Sequence, residues 1–134
     1  MTKSELKKYR FICDELEQIK EQILSIKALI LSPKNQVITG MPRGGGGNSD
    51  KIGEVLCKIE HLENKYLDKY NQLLREREKI EEAISTLESK ERLLIRYRYI
   101  DGNAWEDIAD KLNYSIDNIY KLHGKILQKI AKNY

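Results

Sequence analysis

The sequence predicts an all-α chain: a long antiparallel helical hairpin with coiled-coil patterning, followed by a C-terminal three-helix domain. Three observations carry that prediction. Apolar residues recur every three or four positions from Tyr9 to Ile30, and a seven-residue apolar repeat runs from Ile52 to Leu94. Four consecutive glycines, Gly44 to Gly47, lie between the two stretches. Beyond Ser89 the heptads give way to short segments separated by capping and turn residues. Charged residues are 34% of the 134 and the hydrophobic set 40%, with one Trp and one Phe, and the mean hydropathy is -0.61. That balance suits solvent-exposed amphipathic helices better than a thick core.

The first helix is expected from Ser4 to about Leu31. Its seam is Tyr9, Ile12, Leu16, Ile19, Ile23, Ile26 and Ile30, while Glu15, Glu17, Lys20, Glu21 and Lys27 fall on the other faces. A single apolar stripe in water has nothing to bury against, so this helix requires a partner. Pro33 disfavours helical geometry in the residue before it, which sets the end at Leu31 or Ser32. Residues 32–49 then read as a glycine-rich hinge, with Gly40-Met41-Pro42-Arg43 ahead of the glycines. A phosphate-cradling loop is the sharper reading of such a run. It needs a following Lys and a hydroxyl, and neither Gly-Lys-Ser nor Gly-Lys-Thr is present.

Ser49 or Asp50 is expected to cap the second helix. Its repeat is Ile52, Ile59, Tyr66, Leu73, Ile80, Leu87 and Leu94; a companion stripe of Val55 and Leu62 decays through Lys69 and Glu76 before Ala83. At about 1.5 Å per residue the first helix spans ~42 Å and the second, to about Ser89, ~60 Å. The uncovered stretch of apolar stripe requires another surface, which points to a homodimer or higher assembly.

Residues 1–88 are therefore read as the hairpin and 89–134 as a separate domain. In the latter, Ser89 is expected to cap a helix containing Leu93, Leu94, Ile95, Tyr97 and Ile100, stopped by Asp101-Gly102. Asn103 caps the next, with Glu106 completing a capping box and Trp105, Ile108, Ala109 and Leu112 facing inward. Asn113-Tyr114 turns the chain and Ser115 caps the last helix, which buries Ile119, Leu122, Ile126 or Leu127, and Ile130. Two short helices joined by a tight turn and preceded by a third match a helix-turn-helix core. Ala109 supplies the small side chain that a close helix crossing needs.

The overall charge of +3 is too small to indicate a nucleic-acid partner. Its distribution is more informative. From residue 111 onward Lys111, Lys121, Lys125, Lys129 and Lys132 face one acid, Asp117, which is five minus one, or +4. Such a cluster on a candidate recognition helix suits phosphate binding, although lysines also complement a helix C-terminus.

The run from Ile95 to Gly102, the segment Trp105-Glu106-Asp107-Ile108-Ala109, Tyr114-Ser115 and Ile119-Tyr120-Lys121-Leu122-His123 resemble region 4 of bacterial sigma factors. More closely, the chain resembles small phage- and prophage-borne regulators of the ArpU and RinA type, whose hairpin and glycine-rich loop it also shares. The resemblance implies a winged-helix-like DNA-binding domain contacting double-stranded DNA, with RNA polymerase as a further partner. It implies that Ile116, Asp117, Asn118, Tyr120, Lys121 and His123 lie toward the major groove, with Ser115 and Lys125 on the backbone. Asn118 has the amide to read adenine, and Lys121 reaches a guanine or a phosphate. Sigma factors carry several arginines on this helix, where this chain has Ile116, Asn118 and Tyr120. The docking mode is thus expected to transfer and the promoter sequence is not.

The function expected from these features is transcriptional regulation, as a phage late-gene activator working with host RNA polymerase. The alternatives are a DNA-packaging protein like a terminase small subunit, or a coiled-coil protein-interaction module. No nucleophile set, nucleotide motif or inward carboxylate pair suggests an enzyme, and no cofactor or metal is implied. Cys13 and Cys57 stand alone in helical patterns, as expected of reduced packing residues. His61 and His123 read as helix-surface residues. The charged N-terminus and the absence of a long apolar run predict a cytoplasmic protein without a signal peptide or membrane span.

Overall fold

The computed structural model describes residues 1–31 and 45–132, with the side chains of all of them except 45–50. Every regular element among these residues is helical, and the order is that of a long hairpin followed by short helices. α1 is Lys3–Leu31 and α2 is Gly45–Ala83; the terminal segment holds α3 (Ser89–Ile95), a π-helical turn (Arg96–Ile100), α4 (Trp105–Leu112) and α5 (Ile116–Lys132). α1 stops at Leu31, immediately before Ser32-Pro33. α2 begins at Gly45, ahead of the expected Ser49 or Asp50 cap, so the connection is shorter than 32–49. Residues 32–44, which include Pro33 and Gly40 to Arg43, lie outside the described residues, as do the cap side chains of Ser49 and Asp50.

The chain forms two compact units. One is Met1–Cys13 with Gln72–Tyr134, and the other is Asp14–Asn71. The boundary expected at residues 88 and 89 falls inside the first of these. In it the first turns of α1 join the end of α2 and the short helices.

In the Asp14–Asn71 unit, Leu16, Ile19 and Ile59 are buried, with Ile23, Ile26, Ile30, Val55, Leu62 and Tyr66 half-buried beside them. This is the heptad seam, and Lys69 and Glu15 flank it with an ion pair of 2.8 Å. Exposed pairs of that kind contribute little, roughly 0–1 kcal/mol. A two-helix seam leaves the remaining faces to solvent. Leu24, Leu29, Leu56, Leu67 and Tyr70 are accordingly exposed, as is the expected seam residue Ile52.

In the other unit the seam continues as Leu6, Tyr9 and Ile12 on α1 and Leu73, Ile80 and Ala83 on α2. Leu6 keeps the three-residue spacing ahead of Tyr9, so the stripe starts earlier than expected. Glu76, at a decayed seam position, is buried and receives Lys8 and Lys79, each at 3.4 Å. Beyond α2 a turn buries Ile84 and Leu87. The cap of α3 is Glu88, one residue earlier than expected. Its N–H donates to the Glu91 carboxylate at 3.1 Å, the reciprocal half of a capping box.

The π-helical turn was not foreseen. The Asp101 N–H reaches back to the Arg96 carbonyl at 2.9 Å, one residue further than in an α-helix. Arg96 anchors the turn to α2 through two bonds to the Glu81 carboxylate, 3.0 and 2.7 Å. The pair holds the Glu81 carboxyl below its usual range. Gly102 follows at φ 74, where side chains are strained. The cap of α4 is Ala104 rather than Asn103. Asn113 takes the left-handed conformation, φ 59, that ends α4.

Candidate nucleic-acid interface

α5 owes its position to its two ends and one face. At its start the Ser115 hydroxyl accepts the Asn118 N–H at 3.2 Å, satisfying a backbone donor that the helix leaves free. Ile119, Ile126 and Ile130 are fully buried at helical spacing against α3 and α4. Near its end, Lys129 binds Glu91 of α3 at 2.8 Å. Burial pushes the Glu91 carboxyl up, but the Lys129 ammonium and the Glu88 N–H outweigh it and hold it below the usual range.

The opposite face is open. Ser115, Asp117, Asn118, Tyr120, Lys121 and Lys125 are exposed and Ile116 is half-buried. Asn118, Lys121 and Lys125 share one line along the helix, spaced three and four apart. Seven of the eight candidate residues therefore lie on accessible surface of one helix and its cap. The lysines are less available than their number suggests. Lys129 is committed to Glu91, and Lys111 sits 4.8 Å above the Tyr97 ring.

His123 is a correction. It is 7% exposed and lies inside the three-helix core, not on the surface. Its Nε2 is 2.6 Å from the Tyr99 hydroxyl, which the π-helical turn delivers inward. Burial depresses the imidazole pKa to about 4, helped by the charges of Lys3 and Arg98, so the ring is neutral at pH 7 and shares a hydrogen bond with the hydroxyl. The spacing already carried the signal: positions 119, 123, 126 and 130 form one stripe, with the histidine in an apolar slot.

Trp105 is also placed differently from expectation, half-buried rather than enclosed. Its ring meets His123 at 4.6 Å and the exposed Tyr120 at 5.6 Å, both edge-on, with the Arg98 guanidinium 4.4 Å above its face. It thus joins the core to the open face of α5. Among the described residues no three His, Cys, Asp or Glu side chains gather as a metal site, and no helix is long and apolar enough to cross a membrane.

No protein-family model matches the chain, and no solved structure matches it. Among curated proteins it is similar to an RNA polymerase sigma-F factor of Bacillus licheniformis, 27% identical over 119 residues. The match covers 89% of this chain and 42% of that protein, so the chain spans less than half the length of its relative.

Proposed function

We propose that the chain is a sequence-specific DNA-binding regulator of transcription that reads the major groove with α5. The observation that carries this reading is the division of α5 into two faces. Ile119, His123, Ile126 and Ile130 fix it in a core, and Asn118, Tyr120 and Lys121 project from its leading turns. A recognition helix needs that arrangement, since base edges are read by side chains near its N-terminus while its back packs on the first helix of the motif. The similarity to a sigma factor supports a role at promoters, with RNA polymerase as the partner protein. The finer reading is a phage or prophage late-gene activator. The apolar side chains left open on α2, Leu56, Leu67, Tyr70 and Leu74, support coiled-coil self-association as a dimer. Ser115 and Lys125 contact the DNA backbone in this proposal, and Ile116 and Asp117 border the groove.

The test is to mix the purified protein with sheared DNA of the genome that encodes it and sequence what it retains. Enrichment of one or a few upstream regions is expected. Asn118→Ala and Lys121→Ala should each lose that selectivity with unchanged helical content by circular dichroism. Retention of the same sites by both variants would overturn the assignment of α5, and enrichment at a packaging site would replace regulation by DNA packaging.

A further inference from the structure

A pocket of about 320 Å³ is lined by Lys3, Lys7, Arg10, Arg98, Tyr99, Gly102 and Trp105. Four of its seven lining residues are cations and none is a carboxylate. Lys3, Lys7 and Arg10 repeat at four and three residues, which puts them on one face of α1.

The charges stay unneutralised. Lys8, Lys69, Lys79, Arg96 and Lys129 all pair with carboxylates, whereas Lys3, Lys7, Arg10 and Arg98 form no ion pair among the described residues. The two guanidiniums are instead positioned by neutral acceptors. Arg10 donates to the Ile100 carbonyl and Arg98 to the Asn103 carbonyl, each at 3.0 Å. Each therefore keeps its full charge and further N–H donors.

Gly102 makes the seat possible. A Cβ there would stand 2.8 Å from the Arg10 guanidinium carbon, so a side chain would require that guanidinium to shift. Two helices also begin at the pocket, α1 at Lys3 and α4 at Trp105, and helix N-termini carry positive partial charge. Four unpaired like charges around one concavity make a region of positive potential that attracts an anion.

We infer that this pocket seats a phosphate of the DNA backbone beside the groove that α5 enters. The inference rests on the proposed DNA-binding role of α5, and the source of the phosphate follows from position. The Trp105 wall of the pocket is in edge contact with Tyr120, on the open face of α5. A duplex laid on that face would run close to Trp105, one of the residues that line the pocket. The contact fixes register without reading sequence, as backbone contacts do. It also enlists the first turns of α1, which belong to the hairpin in sequence and to the DNA-binding unit in space.

The experiment compares the full chain with Lys3→Gln/Lys7→Gln, which changes two exposed side chains outside the core. Each protein is titrated with a short duplex from the most enriched genomic region, and with the same duplex scrambled, over a range of salt. A parallel titration uses inorganic pyrophosphate and follows fluorescence of Trp105, the chain's one tryptophan. The double variant should bind the duplex roughly tenfold more weakly at moderate salt, with a salt slope reduced by about 1 to 2. Its preference for the enriched over the scrambled duplex should be unchanged. Equal slopes and affinities for the two proteins, with selectivity intact, would overturn the pocket and leave the role of α5 standing. A parent chain that binds no duplex would overturn the backbone source along with that role. A Trp105 response to pyrophosphate that the variant lacks would then assign the pocket to a free phosphorylated molecule.

Discussion

The two compact units are built from the same two long helices and yet are held in different ways. Among the described residues, the nine largest fully buried side chains, from Leu6 to Ile130, all belong to the unit of residues 1–13 and 72–134. The Asp14–Asn71 unit has none of them. It has a seam two residues wide and a series of exposed leucines. Two helices enclose a line, whereas five segments enclose a volume, and only a volume removes side chains wholly from water. Full burial of an Ile or Leu contributes about 1.5–3 kcal/mol, so one unit carries its stability inside itself. The other would gain stability from any surface that covered its exposed leucines.

The sharpest break of this contrast is a truncation in each unit. Ile119→Ala removes a fully buried side chain under the reading helix and should cost about 2–5 kcal/mol. Ile23→Ala, at a half-buried position, should cost clearly less. Urea unfolding followed by circular dichroism measures both, and equal costs would erase the distinction.

Next in size is the response to acid. His123 has its folded pKa lowered from 6.5 to about 4, so the unfolded chain binds the proton more tightly. The neutral ring's contribution is complete above pH 6.5 and is lost as pH falls toward 4. It amounts to about 3 kcal/mol at 1.36 kcal/mol per unit. Urea midpoints measured from pH 7 to 4 should fall for the parent chain, and the His123-dependent part of that fall should vanish in His123→Leu. Trp105 reports locally, being in contact with the imidazole.

A smaller effect belongs to Ser115→Ala, which removes the α5 cap and should cost about 1 kcal/mol. Smallest is Tyr70→Glu, on the open side of α2, expected to change the stability of a single chain by no more than about 0.5 kcal/mol. Sedimentation of the same variant sharpens the comparison: if that face meets a second copy, self-association weakens while the melting of the Trp105 region stays put.

Periodicity made most of the architecture legible. From Ile59 onward the repeat marks buried or half-buried positions, while Ile52 at its start is exposed, and Ser115, Asn113 and Gly102 perform the turn chemistry expected of those residue types. Caps elsewhere were displaced by one residue, because Glu88 and Ala104 take the extended geometry beside the residue with the better side chain. What stayed hidden depended on neighbours distant in sequence. A π-helical turn has no pattern of its own, so the Tyr99 partner of His123 was hidden, although the spacing of His123 already set it on the buried stripe of α5. The basic pocket was hidden for the same reason, since Lys3 and Arg98 meet only after folding.

The bond from the Met1 nitrogen to the Ile130 carbonyl, 3.1 Å long and buried, closes a span of 129 residues. Contacts of such high order form late, because loop closure must precede any gain from them. At roughly 5–20 residues per second of synthesis, the opening turn of α1 waits several seconds or more for its cover. Leu6 and Met1 are therefore open to chaperones throughout translation.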